Sequence, residues 1–279
     1  MDPESPGAED WRRQFTEEAR SVRPDLATLC LLIGAVADPG LGRPGLDAAQ
    51  MELDRLAGLL PHGVTGARPW ALALAELLGG GCGFRGGPAE YQRLESSLLP
   101  QVLRRRRGLP ILLSVVWMEV ARRAGAPVYG VALPGHFVVG LGSPEERVLA
   151  DPFDGGRPLT GADAELLVAG ATGAPLDPST ITPADPLAVV LRVLNNIRAW
   201  AAARPERSDV ALWALDLSLL LPTHPARLRY DRAELLVRRG DYLAGAAEFE
   251  DYADILEPVE PGTAETVRSR ARAARAMLN

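Results

Sequence analysis

The stretch RRRRGLPILLSVVWMEVARRAGAPVYGVALPGHFVVGLGSPEERVLADPF, residues 104–153, decides the fold. Its first half reads as a helix over 110–124, apolar nearly all round (Ile111, Leu112, Leu113, Val115, Val116, Trp117, Met118), the pattern of a helix buried on every side. Pro110 suits its first position, where a missing backbone N–H breaks no bond. Residues 127–153 then read as three antiparallel strands. A hairpin that pairs 137–141 with 147–150 and turns at 142–145 sets His136 directly opposite Asp151. Opposed residues have Cβ atoms about 4.5–5.5 Å apart, within reach of an imidazole–carboxylate bond. In that register Phe137, Val139, Val148 and Ala150 share the core face, and His136 and Asp151 share the other. A carboxylate behind a histidine fixes its tautomer and orientation and stabilises its cation, as in nucleophilic sites. The plainer reading is two polar groups that satisfy each other at a strand end.

Outward from this stretch the pattern is helical. Helices are expected at 11–21, 26–36, 48–60 and 70–78, separated by Gly/Pro-rich joints, with Asp47 placed to open the third. Glycines 79–81 and GFRGG (83–87) mark an irregular loop, and a helix over 91–105 follows. From about 186 helical spacing returns. RYDRAELLVRRGDYLAGAAEFEDYADILEP (229–258) has the small/large helix pair and Gly-Asp-Tyr turn of a tetratricopeptide repeat, with Ala246 and Phe249 ahead of Pro258. A weaker copy spans 190–222, and a last helix covers 264–278. The expected class is α+β, mostly helical, with a small antiparallel sheet. Its expected regions are a helical N-terminal region (1–78), a central core (79–180) and a repeat-like helical region (186–279).

Apolar residues at 47% and charged ones at 24% describe a globular chain. The longest apolar run, 26–37, falls short of the roughly 20 residues that span a bilayer. The opening MDPESPGAED is acidic rather than signal-like, so the expected compartment is cytoplasmic, with no membrane partner. A net charge of −6 argues against a nucleic-acid partner, which needs a basic field. Cys30 and Cys82, with His62, His136 and His224 far apart in sequence, show no metal-ligand spacing, so neither a metal nor a cofactor is expected. All 30 basic residues are arginine, which excludes lysine Schiff-base chemistry.

GFRGGPAEYQRLESSLLPQVLRRRRGLPILLSVVWMEVARRAG, PGHF and DPFDGG together resemble the SirB-type family of bacterial transglutaminase-like proteins with C-terminal tetratricopeptide repeats, strongly over 83–156. The resemblance implies a transglutaminase-like (papain-like) core whose sites use Cys, His and Asp. In that pattern the Cys opens the core helix about fifteen residues before the Gly that ends it. Counting back from Gly125 lands on Pro110. His136 and Asp151 match the other two positions, and family members also carry the proline. Where the family typically shows an asparagine before the serine of its second motif, this chain has Glu95-Ser96-Ser97.

Two residues could replace the missing nucleophile. Ser114 lies one turn into the helix, among aliphatics, where a serine more often bonds back to a carbonyl. Cys82 lies in the glycine-rich loop, where a small buried side chain is the commoner reading. Arg106 and Arg107, at the end of the arginine run and just before a helix N-terminus, are candidates to bind a carboxylate or phosphate. Their plainer role is a solvated helix end plus one arginine holding a loop carbonyl. The first functional reading is a non-catalytic binding or regulatory module with a protein or peptide partner on the repeat-like helices. The second is an enzyme, a hydrolase or acyl transferase, with His136 as general base oriented by Asp151. A serine or relocated cysteine nucleophile, or a purely structural protein, completes the range.

Overall fold

The computed structural model describes residues 6–278, so the first five residues of the acidic N-terminal segment lie outside it. It divides into two compact units, one over Arg23–Val193 and one formed by the chain up to Val22 together with Leu194–Asn279. This differs from the three regions expected. Helix α1 (Pro6–Ala19) belongs with the C-terminal unit, where Trp11 and Phe15 are buried and Arg12 pairs with Asp216 at 3.4 Å. The remaining N-terminal helices share a unit with the sheet.

In that unit α2 (Leu26–Ala37) is capped by Asp25, which accepts from the Thr28 amide at 2.8 Å, and nine of its residues are buried. Helix α3 (Gly42–Ala57) begins earlier than expected and takes Asp47 into its interior. Pro44 allows this because it falls in the first turn, where its missing donor is not needed. Helix α4 (Ala67–Leu74) runs on into a π-helical turn, Ala75–Gly81. The helix expected over 91–105 is instead two 3-10 turns, Pro88–Gln92 and Leu94–Ser97, followed by a short α5 (Leu99–Arg105). Pro100 sits in the first turn of α5 and blocks continuation from the residues before it. Side chains from the two turns enter a buried polar network, described below.

Helix α6 (Pro110–Arg123) is the centre of the unit, with twelve consecutive residues buried. Four antiparallel strands follow in sequence order: β1 (Val128–Val131), β2 (Val138–Leu141), β3 (Val148–Asp151) and β4 (Arg157–Leu159). One face of the sheet packs on α6, where a side chain at Gly130 would strike the Phe137 ring and the Met118 sulfur. The other face, with Val131, Val138 and Leu149, is covered by Ala164 and Val168 of α7 (Gly161–Thr172). A capping box between Thr160 and Asp163 starts α7. Both β4 and α7 lie beyond the elements read from the sequence. No single helix among the described residues is long and apolar enough to cross a membrane.

The boundary between the units falls within α8 (Pro186–Ala202). The C-terminal unit continues through α9 (Ser208–Leu220), α10 (Arg227–Arg238), α11 (Tyr242–Leu256) and α12 (Pro261–Ala276). Its core is tetratricopeptide-like in composition: small Ala233, Ala246, Ala253 and Ala271 against Tyr230, Phe249 and Tyr252. The Tyr230 ring meets Phe249 edge-on at 5.2 Å. Gly240, at φ 90, makes the left-handed turn between α10 and α11 that a side chain would resist.

Candidate functional site

His136 is delivered by a turn written in four residues. In Leu133-Pro134-Gly135-His136 the proline presets its own φ, Gly135 takes φ 73, and the His136 amide donates to the Leu133 carbonyl at 3.1 Å. This is the chemistry of a type II turn. Arg192 of α8 locks it, donating to the carbonyls of Leu133 (3.3 Å) and His136 (2.9 Å) and stacking on Phe137. Asp151 ends β3 and opens the 3-10 turn Pro152–Asp154, where its carboxylate accepts from the Phe153 amide at 2.9 Å.

The two side chains meet. His136 Nε2 lies 3.1 and 3.0 Å from the two Asp151 oxygens, and both residues are buried. They are not directly opposed, however. The sheet pairs Val139 with Ala150 and Leu141 with Val148, two residues out from the expected hairpin. The difference arises in the loop, which is longer than the turn expected at 142–145: Ser143 Oγ accepts from the Glu146 amide at 3.1 Å, so Glu146 is still in the loop. A slip of two keeps every residue on its face, whereas a slip of one would have separated the pair. His136 and Asp151 are thus diagonal neighbours. Extending the register puts Phe153 opposite His136, and their rings meet edge-on at 6.0 Å.

A carboxylate only accepts, so Nε2 carries the proton and the lone pair of the neutral ring is on Nδ1. No hydrogen bond reaches Nδ1 among the described residues, and it is not one of the sealed, unpartnered polar atoms, so it keeps contact with solvent. Tyr91 packs edge-on against Phe153 at 6.1 Å. Burial and the nearby Asp151 charge push its phenol up, while Arg192 opposes them. Burial in turn pulls the Arg192 guanidinium down. Sequence reasoning missed Tyr91, Phe153 and Arg192, which lie far from His136 along the chain.

Pro110, which the resemblance sets at the nucleophile position, is the first residue of α6, buried and without a reactive atom. Ser114 is sealed, and its hydroxyl donates to the Phe137 carbonyl at 3.3 Å. That bond ties the first turns of α6 to the segment leading from His136 into β2. Sealed and bonded in this way, Ser114 presents no free hydroxyl at the surface. Cys82 ends the π-helical turn within the field of Arg55 on α3. Cys30 is core, and burial pushes its thiol far up. Among the described residues no group of three or more His, Cys, Asp or Glu is placed to hold a metal.

The glycine-rich loop joins the two halves of the site. The Arg85 amide donates to the Arg106 carbonyl, and the Gly86 amide donates to the Phe153 carbonyl at 2.9 Å. A side chain at Gly86 would lie 1.8 Å from the Phe153 ring, and one at Gly79 would lie 1.9 Å from the Gly155 carbonyl oxygen. These glycines therefore permit close approach between the lead-in to α6 and the Asp-Pro-Phe turn.

Three arginines of the run, 105 to 107, help to hold that lead-in, while Arg104 is exposed and donates to Gln101 on its own helix. Arg105 donates to Glu90 (2.9 Å) and Ser96 (3.2 Å), and the Ser96 carbonyl receives the Leu109 amide just ahead of α6. Burial alone would raise the Glu90 carboxyl, but Ser96 and Arg105 overcome it and hold it low. Arg106, closing α5 at φ 59, pairs with Glu52 and lies over the Phe84 ring at 4.5 Å. Arg107 donates to the Gly83 carbonyl at 2.6 Å. Arg106 and Arg107, the residues expected to bind an anion, thus each hold a partner inside the unit, while Nη1 of Arg106 is buried with no hydrogen-bond partner among the described residues.

The same network gives an acid dependence. Arg55 and then Arg106 hold the Glu52 carboxyl at about 2 against an ordinary 4.5, with burial opposing them. A depressed carboxylate stabilises the fold above its unfolded value and loses that contribution as pH falls towards its folded one. Wild type and Glu52→Gln should therefore differ in urea midpoint at pH 6 and converge between about pH 4.5 and 2. A difference that persists unchanged at pH 2 would assign the effect to packing.

Residues 47–195 match the transglutaminase-like superfamily, and residues 197–279 match the tetratricopeptide repeat. The UPF0162 protein of Xylella fastidiosa strain Temecula1 is 40% identical over 156 residues, 53% of this chain and 54% of that protein. The chain thus spans about half the length of that relative. The UPF0162 protein of Haemophilus influenzae is 26% identical over 200 residues, covering 71% and 73%. A solved structure of menin covers 88% of this chain and 69% of its own at 14% identity and a TM-score of 0.43. With the family match spanning more than half its length, and a repeat region after it, the chain belongs to the transglutaminase-like superfamily.

Proposed function

We propose that the protein is a SirB-type, non-catalytic transglutaminase-like module of the cytoplasm, which retains the His136–Asp151 pair and binds a protein or peptide partner through its tetratricopeptide helices. The observation that carries this reading is Pro110 at the head of α6, with Ser114, one turn further in, sealed and bonded to a carbonyl. A covalent mechanism needs an activated nucleophile within hydrogen-bond reach of the histidine. Pro110 offers no such atom. Helix-pair repeats, by contrast, present extended surfaces suited to partner chains.

One observation favours a second reading. Nδ1 of His136 is unbonded and in touch with solvent, while Nε2 is held by Asp151. That is the arrangement of a general base that takes a proton from water. Incubation with a fluorophosphonate, iodoacetamide and an activated acyl ester separates the two, with intact mass and released acyl product followed for wild type and His136→Ala. The expected result is no adduct and no hydrolysis that depends on His136, with any alkylation confined to Cys82 in both proteins. Hydrolysis lost in His136→Ala would overturn the non-catalytic reading and favour the general base. A His136-dependent adduct would restore covalent catalysis.

A further inference from the structure

The C-terminal unit contains a cleft of about 1000 Å³ between α8, α9 and α10, made entirely of its own residues. Its lining includes Ala199, Ala202 and Ala211, small side chains that let a peptide main chain approach closely. Four arginines line it, 198, 204, 238 and 239, against two carboxylates. Those carboxylates are already neutralised: Asp231 pairs with Arg198 at 2.6 Å and Glu234 with Arg270 at 2.6 Å. The Arg239 side chain donates to the Ser208 hydroxyl at 2.9 Å, and the Arg238 guanidinium has no hydrogen-bond or ion-pair partner among the described residues. The cleft is therefore a cationic groove on a chain whose net charge is −6.

We infer that this groove binds an extended acidic peptide of a partner protein, with Arg238 and Arg239 pairing its carboxylates beside the alanines of the lining. The inference rests on the binding-module reading above and names the chemistry of the partner. Arginine is suited to this because its fork matches a carboxylate bidentately. A volume at the upper end of the roughly 300–1,000 Å³ typical of small-molecule sites favours several residues of chain over a single compact ligand. Nucleic acid is a poorer occupant, because its charge runs on far beyond the cleft and would face the acidic remainder of the chain, whereas a short acidic peptide keeps its carboxylates inside the arginine-lined groove.

The test is selection from a displayed random twelve-residue peptide library by the full-length chain, followed by anisotropy with the retained peptides. Retained sequences should be enriched in Asp and Glu. Their affinity should fall with added salt, by about tenfold for amide (Asn/Gln) versions and by about tenfold for Arg238→Glu/Arg239→Glu. Both arginines are exposed, so an unchanged circular dichroism spectrum verifies the fold. Arg20→Glu/Arg104→Glu, two exposed sites outside the cleft, makes the same change in net charge and should leave binding intact. Equal loss in that control, retained peptides without acidic enrichment, or no retained peptide at all overturns the inference. Peptides that are apolar yet bind the C-terminal helices would sink the acidic groove and leave the binding module standing. The binding module itself fails on His136-dependent turnover, which this selection does not measure.

Discussion

Trp117→Ala should lower the unfolding free energy of the unit over 23–193 by about 3–5 kcal/mol, the range for emptying an aromatic from a closed core. Trp117 is wholly buried at the centre of α6 and meets Phe84 edge-on at 6.1 Å. Its indole backs onto Gly156, where φ is 82 and an added Cβ would lie 2.8 Å from Nε1. That Nε1 has no hydrogen-bond partner among the described residues, so packing holds the ring there. Trp117→Phe, which discards the unpartnered donor and keeps most of the ring, should therefore cost about 1–2 kcal/mol. Urea midpoints at constant m-value measure both. Equal losses in the two variants would mean that the indole N–H, not the ring, is what the fold needs.

The same helix shows why much of the fold was legible. A run apolar on every side can only be central, and Pro110 can only begin it. The alternation in 137–141 and 148–151 was enough to put His136 and Asp151 on one face, because a strand's side-chain period is two and an even slip leaves it intact. The register itself was not legible. It depends on whether the 142–147 loop closes early or late, and the Ser143–Glu146 bond that decides this has many near equivalents in sequence. The 91–97 part of the helix expected over 91–105 was misread because nothing local shows that Ser96, with Glu90 just ahead of it, is spent on Arg105 in a buried network. Long-range contacts left no local trace. Nothing near Arg192 indicates that it pins the turn before His136, and nothing in α1 indicates that it joins the last helices. The arginine run looked like a ligand site for a related reason: charge is visible in a sequence, and the partners that consume it are not.

Asp151→Ala should destabilise the same unit by about 2–4 kcal/mol, because it strands the buried His136 imidazole N–H and the half-buried Phe153 amide at once. Asp151→Asn keeps the one oxygen, Oδ1, that both donors reach and should cost about half as much. Removing the other partner as well tests what the pair is for. In His136→Phe/Asp151→Ala no buried imidazole is left unpaired, so the double variant should be less destabilised than the sum of the singles by about 1–3 kcal/mol. If the loss and the coupling are both found, the fold itself requires the pair, and its survival beside Pro110 needs no surviving chemistry. If Asp151→Ala costs under about 1 kcal/mol, stability does not explain a buried carboxylate held 3.0 Å from a histidine whose second nitrogen meets solvent. The pair would then be kept for what reaches Nδ1, and the general-base reading would gain what the absent nucleophile takes from the covalent one.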